Sequence, residues 1–385
     1  MQGPLKIIHI VENLDKGAVE NWLVKTFIES RKMYPNWQWT FYCILGKEGR
    51  LDEKVKAAGG EIIYSPVWIS KKFHFLQALR RQLKKGRYDI IHSHHDYLSG
   101  FYLLAAAGIS FKKRILHIHN TDKVVPVGNE RLQKLLLPFF RKSALHFSDL
   151  LVGISNDTLR QFAGPIPLKK PASCVLYYGV DLKPYAPKIA RDESFFRELQ
   201  IPAHARVLLF VGRMNTLKNP VFVVDILAVL NKTRKDIYAI FIGEGDKATV
   251  LQRAHECNVE DKVRLAGWRN DTAAIMQQAD VFVFPRMEYP KEGLGLVVVE
   301  AQAAGLPMMI SNGIVEDAIE IPELAHVISL NNNPGEWAVL VCKILDEPAA
   351  MDRARAYHLM QESRFELGNA TRNFLTLYET EFNKN

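Results

Sequence analysis

Short apolar runs rich in β-branched residues alternate with helix-like segments along nearly the whole chain, and this alternation rules out most folds. In the first half the runs are KIIHIV, WTFYCIL, EIIYSP, DIIHSH, RILHIHN, LLVGIS and SCVLYYG. In the second they are RVLLFVG, YAIFIGEG, KVRLAGW, VFVFPR, PMMIS and HVISL. Segments such as AVENWLVKTFIESRK, NPVFVVDILAVLNKTR, DKATVLQRAHECN and DTAAIMQQA lie between them and read as helices. Strands this apolar belong to parallel sheets covered by helices on both faces. Two such series, in a chain of 385 residues that exceeds what one core usually serves, predict an α/β protein of two Rossmann-like domains. The joint falls near GVDLKPYAPKIARDESF, residues 179–195, a stretch rich in proline and charge.

In open α/β sheets ligands sit beyond the carboxyl ends of the strands. The loops after the strands therefore hold the candidate site residues, and the cleft between two such domains is the expected site. PKEGLGLVVVEAQAAGLP, residues 290–307, follows the run VFVFPR. Its part LVVVEAQAA reads as a helix stopped by Gly305, with Pro307 just beyond. Gly293 and Gly295 then lie at a helix N-terminus, where free N–H groups and the helix dipole favour a phosphate. Glu292 on the loop and Glu300 one turn into the helix are placed to accept hydrogen bonds from hydroxyls on either side of that phosphate, a sugar and a ribose. VGRMNTLKNP, residues 211–220, supplies Arg213 and Lys218, two cations able to neutralise a diphosphate leaving group. GEGD adds Gly243 and Gly245, and AGWRND adds Gly267 with Trp268 and Arg269 available to a base. The succession of these loops after consecutive strands carries the signal more than any one of them.

With these motifs the chain resembles the retaining glycosyltransferases of family 4, whose GT-B fold sets two Rossmann-like domains with their parallel sheets facing across an interdomain cleft. The resemblance rests on Arg213, Lys218, the GEG loop, the AG turn and EGLGLVVVEAQAAGLP, in which seven residues separate Glu292 from Glu300. KGAVE, DIIHSH, HIHN, VGIS and YGVD match in the first half. Within the family it looks like members that build bacterial exopolysaccharide, capsule or lipopolysaccharide. The resemblance implies an acceptor-binding domain over residues 1–182, a donor-binding domain over 183–362, and a C-terminal helix, 363–385, packed back on the first domain. It implies that Arg213 and Lys218 hold the donor diphosphate, Glu300 the ribose hydroxyls and Glu292 the transferred sugar. The backbone of Gly293, Leu294, Gly295 and Leu296 would help hold phosphate and sugar, with Gly243 and Gly245 on the donor side and Gly267 and Trp268 bordering the base. His119 would lie near the reacting anomeric carbon and Gly17 would admit the diphosphate and the acceptor. Ala18, His94 and Asn120 would face the acceptor. The expected donor is a UDP-sugar, with no metal or other cofactor, and attack on the front face would retain the anomeric configuration. Three positions depart from the family pattern. Ala18 stands where a second glycine is usual, Tyr178 where asparagine precedes Gly-Val-Asp, and Arg286 where serine is common. Arg286 is an extra cation that either acts on the donor or faces solvent.

Charge is unevenly spread. Residues 1–190 hold 29 Lys/Arg and 15 Asp/Glu, a net of +14; the remainder holds 21 and 27, a net of −6, and the two sum to the overall +8. The basic residues gather in KKFHFLQALRRQLKKGR (71–87) and FKKR (111–114), interleaved with leucine and aromatic residues. An anionic membrane surface that carries a glycan or lipid-linked sugar acceptor fits this pattern. Nucleic acid is not expected, since no reader motif accompanies the charge. HSHH (92–95) and HIH (117–119) each put two imidazoles on one face of a strand end, which keeps a histidine-metal hydrolase as an alternative. No carboxylate group stands at ligand spacing beside them, and the chain has no Asp-x-Asp. Two further alternatives are a sugar-nucleotide 2-epimerase of similar architecture and a non-catalytic sugar-nucleotide-binding subunit. No run of about 18 apolar residues exists. The N-terminus reads as a buried strand and not as a signal peptide. Four scattered cysteines, Cys43, Cys174, Cys257 and Cys342, suit a reducing compartment. The expected location is the cytoplasm, peripheral on the inner face of the cytoplasmic membrane.

Overall fold

The computed structural model describes residues 4–15, 17–121, 130–164, 172–187 and 193–380. Lys16 of KGAVE, residues 188–192 of the expected joint and residues 381–385 at the chain's end lie outside these. Each apolar run forms a strand. In the first half they are β1 Lys6–Val11, β2 Gln38–Cys43, β3 Glu61–Tyr64, β4 Ile90–Ser93, β5 Lys113–Ile118, β6 Leu150–Gly153 and β7 Ala172–Val175. In the second they are β8 Arg206–Val211, β9 Ile237–Ile242, β10 Val263–Gly267, β11 Val281–Phe284, β12 Met308–Ile310 and β13 Ala325–Val327. Ile7, Ile8, Ile10, Leu208, Leu209 and Phe210 are fully buried, as central strands covered on both faces require.

By internal contacts the chain divides into one unit of Met1–Gly179 with Leu367–Asn385 and a second of Val180–Glu366. The sequence reading sets its divisions at 182/183 and 362/363, three and four residues away. In the first unit the parallel sheet has the order β3-β2-β1-β4-β5-β6-β7. In the second the order is β10-β9-β8-β11-β12-β13, again all parallel. In each sheet the chain winds outward from its first strand and then returns to that strand's other side. The strand order therefore reverses between β1 and β4, and between β8 and β11. At such a switch point adjacent loops diverge and leave a crevice at the carboxyl ends of the strands.

Residues 353–379 hold two helices. Arg353–Glu362, capped by the Asp352 side chain, belongs to the second unit, and Leu367–Glu379 to the first. Ser363 makes the break: its hydroxyl donates to Met360 O at 2.7 Å and accepts from the Phe365 N–H at 3.1 Å, which terminates the first helix. Leu367–Glu379 packs on the helix Ala18–Met33, with Phe374 against Trp22 and Trp39.

Candidate active site

The switch point of the second unit gathers the charged residues. The loop after β8 carries Arg213 and Lys218 and ends at Asn219, whose left-handed backbone (φ 54°) leads into Pro220 as the first residue of the helix Pro220–Leu230. Pro220 is pre-set for that position, since its missing N–H would have no helical partner. Lys218 is fixed at its backbone by Asn215 Oδ1, 3.0 Å from its N–H, and its ammonium lies 5.3 Å from the centre of the Phe284 ring. The loop after β11 carries Arg286 and Glu292. Oε2 of Glu292 accepts hydrogen bonds from both Lys218 Nζ and Arg286 Nε, the latter at 2.5 Å. Arg286 is 5 % exposed, which corrects the solvent-facing option for it. Its Nη1 donates to the carbonyls of Met287 (2.8 Å) and Pro290. Burial pushes the Glu292 carboxyl up, but Lys218 and Arg286 outweigh this and hold it below the usual carboxylate range. Burial lowers Lys218, Glu292 opposes that, and repulsion from Arg286 and Arg213 adds to it.

Gly295 caps the helix Leu296–Ala303 in the left-handed region, at φ 82°, so the loop can turn directly into the helix. Gly293 precedes it, and the Leu294 side chain is buried at 2 % exposure, leaving backbone to face outward. Glu300 lies one turn into this helix and receives a hydrogen bond from the Tyr185 hydroxyl, whose ionisation is pushed up by burial and then by the Glu300 charge. Tyr185 was not singled out in the sequence; it sits in the interdomain stretch, more than a hundred residues from Glu300, and no local pattern marks it. Gly243 and Gly245 hold the loop after β9 against the loop after β8. A Cβ on Gly243 would lie 2.1 Å from Gly212 O, and one on Gly245 2.3 Å from Met214 O. Their presence is thus explained by backbone packing alone. Gly267 turns at φ 67°, and the exposed Trp268 follows it, its N–H donating to Glu244 at 3.1 Å. Arg269 is not available to a base: its guanidinium is clamped between Asp271 (2.8 and 2.7 Å) and Glu198 (2.5 Å).

The switch point of the first unit holds a crevice of about 220 Å³ lined by Glu12, Glu20, His94, Asp96, His119 and Asn120 among others. A larger hollow, about 830 Å³ beside Tyr34, Trp37 and Arg372, lies at the amino ends of β1 and β2, away from the strand ends where such sheets bind ligands. The crevice is acidic although its half of the chain is basic; no Lys or Arg is among its described lining residues. Gly17 and Ala18 are exposed at the start of the helix Ala18–Met33. The Glu20 carboxylate folds back so far over this helix start that a Cβ on Gly17 would meet it at 1.9 Å. Burial raises the Glu20 carboxyl, and its neighbours Glu12 and Asp15 raise it further against one backbone hydrogen bond. Asp96 ties the crevice together, accepting from the His119 N–H at 2.7 Å and from Asn120 Nδ2 at 2.8 Å.

Behind the crevice five histidines form a ladder across β1, β4 and β5. His9, His92, His94, His117 and His119 are all 5 % exposed or less. His119 joins Tyr178 through Nδ1 and His94 through Nε2 at 3.0 Å; His94 joins His9 at 3.0 Å. His9 reaches Tyr378 at 3.4 Å, Tyr378 joins His92 at 2.8 Å, and His92 joins His117 at 3.2 Å. The ring nitrogens of His9, His92 and His94, and of His94, His117 and His119, come within 4.8 Å of one another, the spacing a metal set would have. Here they are spent on each other and on two tyrosines; of the ten, His117 Nε2 has no partner. Burial lowers the basicity of every rung, and neighbouring imidazoles add to the effect at His92, His94, His117 and His119, which favours the neutral form. Both nitrogens of His119 are therefore engaged within the unit.

The basic clusters differ from each other. Lys71, Lys72, Arg81, Lys84, Lys85 and Arg87 are exposed on or beside the helix Lys72–Gly86, with Trp68 (64 %) and Phe73 (69 %) standing out of the same surface. In FKKR, by contrast, Lys113 is buried and donates to Leu377 O at 2.5 Å, and Lys112 pairs with Asp89. That segment is a structural tie more than a patch.

Comparison with known proteins bears on the family and the fold. Residues 191–358 match the model of the glycosyl transferases group 1, and residues 41–184 match that of Glycosyltransferase Family 4. The putative glycosyltransferase EpsF of Bacillus subtilis is 28 % identical over 344 residues, covering 88 % of this chain and 87 % of the relative. An Escherichia coli UDP-Gal:alpha-D-GlcNAc-diphosphoundecaprenol alpha-1,3-galactosyltransferase is 25 % identical over 295 residues, 74 % of each chain. Among solved structures, Anabaena Alr3699/HepE in complex with UDP has a TM-score of 0.79 at 16 % identity, covering 98 % of this chain and all of that one. It shares the fold: two α/β units with parallel sheets.

Proposed function

This chain belongs to glycosyltransferase family 4 and has the GT-B fold, and on that footing we propose that it is a retaining, metal-independent hexosyltransferase. It moves a sugar from a UDP-sugar to a glycan or lipid-linked sugar acceptor in the synthesis of a cell-surface polysaccharide. The observation that carries the reading is the cluster at the second switch point. Lys218 and Arg286 share the single carboxylate of Glu292, and Arg213 lies near enough to repel Lys218, an excess of positive charge beside a helix N-terminus. A diphosphate supplies the missing negative charge, and oriented cations there stabilise it as a leaving group. Glu292 and Glu300 accept from hydroxyls of the transferred sugar and of the ribose, with Trp268 beside the base. Uridine as the base is supported by the donor named for the Escherichia coli relative and by the UDP held by the Anabaena neighbour.

The first crevice suits an acceptor's sugar hydroxyls, which donate to carboxylates such as Glu12, Glu20 and Asp96. Its acidity disfavours a phosphate, so the lipid phosphate of such an acceptor is met elsewhere. In the transfer itself the acceptor oxygen forms its bond to the anomeric carbon on the face from which the phosphate oxygen departs. The acceptor's proton passes to that phosphate oxygen, and configuration is retained. His119 shapes the site near the anomeric carbon. Transfer assays on Glu292→Ala and His119→Ala test the assignment: both are expected to lose transfer while remaining folded. Full activity in both overturns it.

A further inference from the structure

Glu292 is held by two cations of different freedom. Lys218 presents a single ammonium that donates to this carboxylate and lies 5.3 Å from the centre of the Phe284 ring. Arg286 is 5 % exposed and pinned through Nη1 to the carbonyls of Met287 and Pro290, so its Nε is presented to Glu292 from a fixed frame. The Arg286 carbonyl is itself tied by the Ser311 hydroxyl, and Gly313 packs so closely that a Cβ would lie 2.8 Å from that carbonyl oxygen. Arg286 is thus held at its carbonyl and at its guanidinium, whereas the Lys218 ammonium has Glu292 as its hydrogen-bond partner. A diphosphate bound at this switch point competes with Glu292 for Lys218.

We propose that Arg286 is a positioning residue that keeps Glu292 ionised and in place when Lys218 leaves it for the donor diphosphate. This rests on the donor reading above and adds a division of labour to it. Before binding, Lys218 and Arg286 share one carboxylate oxygen. After binding, Lys218 belongs to the phosphates and Arg286 alone compensates Glu292. Without Arg286, a half-buried carboxylate would be left unpaired and would take up a proton instead. Protonated, it could no longer accept a hydrogen bond at that oxygen from the sugar.

The experiment uses UDP as the probe, since it needs no knowledge of the sugar. UDP binding to the full chain is measured by calorimetry at pH 5.5 in buffers of differing ionisation enthalpy, which counts the protons taken up. Wild type sets the baseline, including UDP's own phosphate. Arg286→Met is expected to take up an additional fraction of a proton approaching about one per site. Arg286→Lys is expected to return towards the baseline. In Arg286→Met combined with Glu292→Gln the excess should vanish, because the group that titrates is gone. An Arg286→Met protein that binds UDP with wild-type proton uptake overturns the role of Arg286 and leaves the donor reading standing. Failure of wild type to bind UDP overturns both. Thermal melts of each variant report folding separately.

Discussion

At the scale of single residues, the proposed reading separates groups placed to meet a donor from groups that shape the loops. Gly245 belongs to the second kind. Its φ of 128° is one that L side chains rarely adopt, and a Cβ would stand 2.3 Å from Met214 O. Gly245→Ala is expected to cost about 2–3 kcal/mol of stability, read as a lower denaturant midpoint; an unchanged midpoint contradicts the packing role. Tyr185 belongs to the first kind by one remove, since its hydroxyl bonds Glu300. If Glu300 holds the ribose as proposed, Tyr185→Phe is expected to raise the KM for a UDP-sugar several-fold with little change in kcat, because Glu300 loses its tyrosine partner. An altered kcat at constant KM would argue against that. The placement of Arg213, Lys218, Glu292 and Glu300 was legible in the sequence because each lies just past a recognisable strand or near a helix start. Arg269 was misread because its two carboxylate partners, Asp271 and Glu198, decide its role, and Glu198 lies 71 residues away. The Arg286–Glu292 pair spans only six residues, yet nothing in MEYPKEGLG says that the loop folds back on itself.

At the scale of elements, the histidine ladder makes the first unit sensitive to acid. The unfolded chain binds protons to these five imidazoles below about pH 6.5, whereas burial holds the folded values lower, His9 at about 3. The folded state therefore binds fewer protons. Its stability is full above pH 6.5 and is lost as pH falls towards the folded values. Each histidine contributes a slope of about 1.4 kcal/mol per pH unit, so five approach about 7. Against a typical total of about 5–15 kcal/mol, the first unit is expected to unfold sharply between roughly pH 6 and pH 5. Circular dichroism against pH checks this; a native signal persisting to pH 4 contradicts it. The strands that carry the ladder were readable because turn residues bound their apolar runs. The ladder itself was not. Alternation put paired histidines on one face, but Tyr178 and Tyr378 come from distant segments, and only the return of the last helix brings Tyr378 to His9 and His92. The sequence reading starts the C-terminal helix at 363; the Ser363 hydroxyl ends the preceding helix there, and the last helix begins at Leu367.

At the scale of the whole molecule, the first unit keeps its charges apart, with carboxylates in the crevice and lysines on the helix Lys72–Gly86. Trp68 and Phe73 stand exposed beside these lysines, as on proteins that rest on a lipid surface. No helix among the described residues is long and apolar enough to cross a membrane. Sedimentation with vesicles of anionic lipid is expected to carry the protein down, neutral vesicles less so, and Lys84→Glu with Lys85→Glu to weaken the anionic case. Equal binding to both lipids, or none, would contradict surface attachment through this face.

The central claim is that a nucleoside diphosphate binds at the second switch point without a metal. A thermal-shift titration with UDP, GDP, ADP and dTDP, each with magnesium and with EDTA, tests it most directly. A ligand at about 100 times its Kd stabilises the native state by roughly 2.7 kcal/mol. A shift with UDP that survives EDTA and disappears in Lys218→Ala is the result expected. No shift with any of the four, together with loss of stability in EDTA, would contradict the claim and return attention to the histidines as metal ligands.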